Sequence, residues 1–198
     1  LASLLGLCAL APAAWSTPTP SRPTWAAERG GEVTLRDLPV DSGAAVEARL
    51  FVRAPWSVCR AVLWDHQKFP EFMPHSRSSR SLKEARDFQV VEQTGAQGPF
   101  LTTLITERRL EPTRISWHGV GGDLLRNDGE WEFTHLGDGT GVRYRVHVVP
   151  HQPVPASVTR FLQRQALPTM LLAVRRRIET SHADSSPRPG STGPSRRP

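Results

Sequence analysis

From residue 77 to residue 149 the chain alternates apolar and polar residues at a period of two, interrupted by turn signals such as Asp138-Gly139 and Gly121-Gly122-Asp123. That pattern specifies successive strands with one buried and one wet face. The spacing predicts strands at 77–84, 87–95, 100–110, 114–119, 128–135 and 141–149. In the last of these, Val142, Tyr144, Val146 and Val148 share one face, and Arg143, Arg145 and His147 share the other. In 128–135, Trp131 and Phe133 point inward, with Glu130 and Glu132 outward. An earlier strand at 44–52 puts Ala44, Val46, Ala48, Leu50 and Val52 on one face, opposite Glu47 and Arg49. Arg49, Arg143 and Arg145 are accordingly expected on the wet side of the sheet.

Two helices frame the strands. Pro55 suits a first helical turn, and Val58, Val62 and Leu63 give an apolar stripe that runs to about Asp65. The stretch Phe69-Pro70-Glu71-Phe72-Met73-Pro74 then reads as a proline-punctuated loop that is apolar enough to pack over something. A terminal helix is predicted from Pro155 to about His182, with Val158, Phe161, Leu162, Leu172, Val174 and Ile178 facing the sheet. Pro168 should kink or restart it. Strands grouped together with helices at the ends argue for an α+β fold.

The ends differ in character from this block. Residues 1–16 carry a short apolar run followed by small residues, the pattern of a secretory signal peptide. Residues 17–30 and 183–198 are rich in proline and poor in apolar residues, as expected of a flexible linker and a disordered tail. A domain of 31–182 remains, large enough to fold without a disulfide or metal staple. The exported chain would be periplasmic or secreted, and would keep Cys59 as its single thiol.

Charge points at first to nucleic acid: the 198 residues hold 25 Lys plus Arg against 19 Asp plus Glu, a net charge of +6. Its distribution argues otherwise. Only Lys68 and Lys83 are lysines, acidic residues such as Glu107, Glu130 and Glu132 sit among the arginines, and Arg188, Arg196 and Arg197 belong to the tail. The arginines read as a solvated surface suited to peripheral contact with anionic lipid headgroups, and no nucleic-acid partner is expected.

The ordered sequence of motifs resembles the START-like (SRPBCC, helix-grip) superfamily, in its polyketide cyclase/dehydrase and coenzyme-Q-binding-like branch. The residues that carry the resemblance are Val52 with Ala54-Pro55, Val62-Leu63-Trp64-Asp65, and Phe69-Pro70-Glu71-Phe72-Met73-Pro74. Gly122-Asp123, Gly129-Glu130-Trp131, Gly141-Val142-Arg143-Tyr144 and the helix opening at Pro155 complete it. It covers about residues 45–182. It implies a curved antiparallel β-sheet wrapped around a long C-terminal α-helix, with a cavity between them.

For Trp117, Trp131, Phe133, Tyr144, Val146 and Leu104, two readings stand: plain core, or the wall of a mostly apolar pocket. Phe72 and Met73 either cap the pocket mouth or simply anchor their loop. Asp123 would serve at the rim as a base, or cap its own turn, the commoner use of such an aspartate. Tyr144 could orient a ligand carbonyl, or satisfy a core acceptor.

Catalytic signatures are sparse. His147 and His151 are separated by a strand end and Pro150, so helical metal-ligand spacing does not apply. His118 and His147 alternate outward, His66 and His75 read as surface residues, and Cys59 reads as a small buried hydrophobe. No nucleophile elbow and no phosphate-binding glycine loop is present. No catalytic residue, metal or cofactor is therefore assigned. The expected function is binding or transport of a small hydrophobic ligand, such as a lipid, isoprenoid quinone or polyketide-like molecule. The alternative is an aromatase/cyclase-type enzyme working in the same cavity.

Overall fold

A computed structural model describes residues 24–97, 100–152 and 154–185. The expected signal peptide at 1–16 lies outside these residues, as do half of the expected linker and most of the tail. Eight strands form one antiparallel sheet in the order β1-β2-β8-β7-β6-β5-β4-β3. They are β1 (Thr34–Leu38), β2 (Ala44–Val52), β3 (Ser76–Glu84), β4 (Phe88–Gln97), β5 (Phe100–Leu110), β6 (Arg114–Gly122), β7 (Leu124–His135) and β8 (Thr140–Pro150). The helices are α1 (Ala26–Arg29), α2 (Trp56–Trp64), α3 (Phe69–Phe72) and α4 (Ala156–Ser185).

β2 and β8 meet at the centre of the apolar face. Their register sets Val46 opposite Val146, Ala48 opposite Tyr144 and Leu50 opposite Val142. Helix α4 packs on β2 and α2, with Leu167, Leu171, Val174 and Ile178 buried against the sheet. Cys59 and Leu63 of α2 close the same core. This is the helix-grip arrangement, an α+β fold with its core on one side of the sheet.

The structure corrects several expectations. Alternation does not predict β1, because its two apolar residues, Leu35 and Leu38, are three apart and fall on opposite faces of a short edge strand. The stretch 69–74 is not a plain loop. A 3-10 turn at His66–Lys68 runs into α3, and Phe69 is buried. Helix α4 runs through Pro168 without restarting and extends past residue 182.

Its apolar face is also rotated. Val158, Phe161, Leu162 and Leu172 are exposed, Phe161 by 61%. The buried stripe instead continues upward from Leu167 through Gln163 and Thr159. The tightly packed positions Leu167, Leu171, Val174 and Ile178 set the helix phase, and at 3.6 residues per turn Val158 and Phe161 then fall outside.

Helix α1, placed by sequence in the linker, is ordered against the outer face. The Trp25 ring takes the Arg49 guanidinium at 4.2 Å, and Glu28 pairs with that same arginine at 3.5 Å. Arg49, Arg143 and Arg145 do lie on the outer face, but that face is not uniformly wet. Arg145 is 6% exposed and bridges Glu47 at 2.9 Å and Glu130 at 3.2 Å. His147, outward as expected, is likewise buried, with Nε2 2.8 Å from the Ser42 carbonyl oxygen. Long side chains and α1 cover these strands where the pattern predicted solvent.

Candidate ligand-binding face

The inner face of the sheet has two chemically distinct sectors. On β6, β7 and β8, the register stacks Trp117, Gly129 and Val146 in one row and Ile115, Trp131 and Tyr144 in the next. Trp117 and Tyr144 stack at 5.7 Å, Trp131 and Tyr144 meet at a tilt at 4.4 Å, and the two indoles lie 6.5 Å apart. Each such pair adds about 0.5–1.5 kcal/mol beyond the area it buries. A Cβ on Gly129 would stand 2.2 Å from the Trp117 ring and 2.4 Å from the Arg145 carbonyl oxygen. Only glycine lets the indole lie down on the sheet there. Burial pushes the Tyr144 phenol well above its ordinary pKa, so the ring acts as a neutral polar surface and not as a base.

The second sector, on β3, β4 and β5, is polar and was not read from the sequence. Arg108 is buried opposite Trp117, and its Nη2 donates to the Leu63 carbonyl at 2.6 Å. Its Nη1 donates to the Trp64 carbonyl at 3.3 Å and to Gln89 Oε1 at 3.2 Å. The guanidinium also sits over the Trp64 and Phe69 rings, at 5.2 and 5.6 Å. Burial lowers its pKa to about 10, which leaves it charged at neutral pH. Arg108 thus caps the C-terminal end of α2, whose last carbonyls carry partial negative charge.

Beside it, His66 is buried, contrary to its surface reading. Nδ1 lies 2.8 Å from Ser79 Oγ and Nε2 lies 3.0 Å from Ser81 Oγ. The inward turn of Ser79, Ser81, Gln89 and Arg108 was hidden because both faces of these strands carry polar residues. Among the described residues of these strands, Val91, paired with Thr106, is the one fully buried apolar side chain.

The nine candidate residues are not gathered into one place. Trp131, Phe133, Tyr144 and Val146 are buried in the core. Trp117 and Leu104 share their face but remain half-buried. Asp123 is exposed at the β6–β7 turn, where its Oδ2 accepts from the Thr103 N–H at 2.7 Å. It closes the turn after Gly122, whose φ of +96° and 2.2 Å approach of a Cβ to the Thr103 carbonyl oxygen demand glycine.

Phe72 meets Phe69 edge-on at 5.8 Å and takes the Arg177 guanidinium at 5.5 Å. It lines a cleft of about 200 Å³ with Ala61, Val62, Asp65, Lys68, Arg177 and Ser181. Met73 packs against the edge of the core. Gln163 lies on the same helix as Arg177 but roughly 21 Å away at a rise of 1.5 Å per residue. The Phe72 cleft and the upper part of α4 are therefore separate regions, and the cleft is below the roughly 300 Å³ of usual ligand pockets.

Comparisons with known proteins agree with this geometry. No curated protein matches the chain. The fold resembles a STAR-related lipid transfer protein from Xanthomonas axonopodis, at 17% identity and a TM-score of 0.64 over 74% of this chain and 93% of that one. It also resembles the Zhui aromatase/cyclase of a Streptomyces species, at 16% identity and a TM-score of 0.59 over 76% of this chain and 94% of that one. A Thermus thermophilus protein aligns at 18% identity with a TM-score of 0.63, over 72% of this chain and 99% of that one. Residues 52–175 match the family described as polyketide cyclase/dehydrase and lipid transport. With its open antiparallel sheet gripped around α4, the chain belongs to that family.

Proposed function

We propose that this protein is a carrier that holds a small hydrophobic molecule, such as a lipid, isoprenoid quinone or polyketide-like ring, between the sheet and α4. The observation that carries the reading is the uneven cover of the inner face. Helix α4 lies on β2 and α2, and α2 on β7, with Trp131 and Tyr144 buried in the core, while Trp117 on β6 and Leu104 on β5 stay half-exposed. An aromatic and aliphatic surface left partly open on a concave sheet gains by taking up an apolar molecule, at about 25 cal/mol per Å² buried.

Two observations favour a carrier over a cyclase. Asp123 is engaged by the Thr103 N–H of β5, and the Tyr144 phenol is pushed away from acid–base use. Exposed Val158, Phe161 and Leu162 on α4, beside Arg160 and Arg164, further support transient docking on an anionic membrane. Residues 1–16 would direct export.

The test is transfer of a fluorescent lipid between vesicles. A carrier moves lipid without chemical change, slows when Phe161→Ser and Leu162→Ser are combined, and keeps its binding in Asp123→Ala. Chemical conversion of a poly-ketone substrate, lost in Asp123→Ala, would support the cyclase instead.

A further inference from the structure

The inward stripe of α4 changes character along its length. Leu167, Leu171, Val174 and Ile178 are apolar and buried, as packing requires. One and two turns above Leu167, the same stripe presents Gln163 and Thr159. Thr159 is 7% exposed, and its Oγ1 has no hydrogen-bond partner among the described residues. Both polar atoms of the Gln163 amide, Oε1 and Nε2, are likewise buried and unpartnered.

Three buried polar atoms on adjacent turns are a cost that Leu and Val at these positions would avoid. Threonine in a helix often bonds back to the carbonyl four residues earlier. Here the Pro155 carbonyl takes the Thr159 backbone N–H at 3.2 Å, and the hydroxyl is left over.

The placement of this pair is set by its neighbours. Arg164 bonds Asp37 of β1 at 2.9 Å, which fixes this part of α4 beside the end of the sheet where Asp37 pairs with Val46 and Val46 with Val146. Val146 is in the row of Gly129 and Trp117. The two polar side chains therefore sit on the sheet-facing side of α4 at the β1–β2 edge of the inner face, level with the row that ends in Trp117.

Charge limits what they can bind. Arg160 is exposed, and Arg164 is exposed and engaged with Asp37, while Arg108 on the inner face is committed to α2 and Gln89. None of these three arginines is free to pair with a buried anion here.

We propose that Gln163 and Thr159 select the cargo by its polar group. They recognise an uncharged group with both a hydrogen-bond acceptor and a donor, such as a carbonyl next to an N–H or O–H, on an otherwise apolar molecule. The Gln163 amide gives one donor and one acceptor to such a group, and the Thr159 hydroxyl adds a third bond. The inference rests on the carrier reading and states its specificity.

The test uses the full chain and three twelve-carbon probes at pH 8: dodecanamide, methyl dodecanoate and dodecanoate. Binding is followed by tryptophan fluorescence. The expected order is amide first, ester about fivefold to tenfold weaker, and carboxylate weakest. Gln163→Leu and Thr159→Val should abolish the preference for the amide while retaining the ester. They should also raise the melting temperature of the unliganded protein, since each removes a buried unpaired group. A structural role for these residues would lower it instead.

Equal binding of amide and ester by the native chain, a preference for the carboxylate, or an unchanged preference in both variants would overturn the assignment and leave the carrier standing. Failure of the native chain to bind any of the three would overturn the carrier reading and the assignment with it.

Discussion

The indole of Trp117 lies across the bare backbone of Gly129, in the space where a Cβ would come within 2.2 Å of the ring. The pair are register partners on β6 and β7, so this contact shapes the half-open part of the inner face. Gly129→Ala should displace the indole and destabilise the fold by about 1–3 kcal/mol, read as a lower urea midpoint with a changed near-ultraviolet circular dichroism band. Adding Trp117→Ala should restore only part of the loss, because the Arg145 carbonyl oxygen stands 2.4 Å from the same Cβ. Full restoration would show that the ring alone makes glycine necessary.

Acid should unlock the polar sector through His66. Its pKa falls from 6.5 to about 4, first because the ring is buried and second because Arg108 stands near it. The folded state therefore resists a proton that the unfolded chain accepts. The resulting stability is complete above pH 6.5 and is lost as pH falls toward 4, by roughly 3 kcal/mol across that window. Urea unfolding at stepped pH should show this slope in the native chain and a flatter one in His66→Gln. Identical slopes would assign the acid sensitivity to other groups.

On the outer face, Arg145 lies between Glu47 and Glu130 with all three side chains buried. Arg145→Met leaves two carboxylates facing each other and should cost about 3–5 kcal/mol. Converting Glu47 and Glu130 to leucine in the same chain should recover most of it, measured again as urea midpoints. A single variant as stable as the native protein would mean that the triad is hydrated in solution.

The Cys59 thiol is buried, and burial raises its pKa to about 11. In a Cys8→Ser background it should resist a thiol reagent at pH 8 while folded and react fully in urea. Rapid modification of the folded protein would show that α2 lifts from the sheet readily.

The strands with one apolar face, such as β2, β7 and β8, were legible because alternation there is unambiguous. The resemblance of the ordered motifs then supplied the grip around α4. Alternation does not say what covers the polar face, so the buried Arg145 triad and the Trp25 lid were missed. It also cannot choose a side when both faces are polar, as on β3 and β4, which concealed His66 and Gln89. Phe161 misled for the opposite reason. Hydrophobicity placed it inward, whereas the helix phase set by Leu171, Val174 and Ile178 gave the inward position to Gln163. Of the candidate residues, Trp117, Trp131, Tyr144 and Val146 do converge. Phe72 and Asp123 are held elsewhere by contacts with Arg177 and Thr103 that no local pattern encodes.

The central claim is that an apolar molecule occupies the space between the aromatic face and α4. Native mass spectrometry of the protein purified from its own host, followed by organic extraction, tests it most directly. The account predicts a stoichiometric mass increment that disappears on denaturation and is recovered in the organic phase as a neutral, largely apolar molecule. A protein that is consistently empty, and that takes up none of a panel of lipids, quinones and aromatic polyketides, would contradict it.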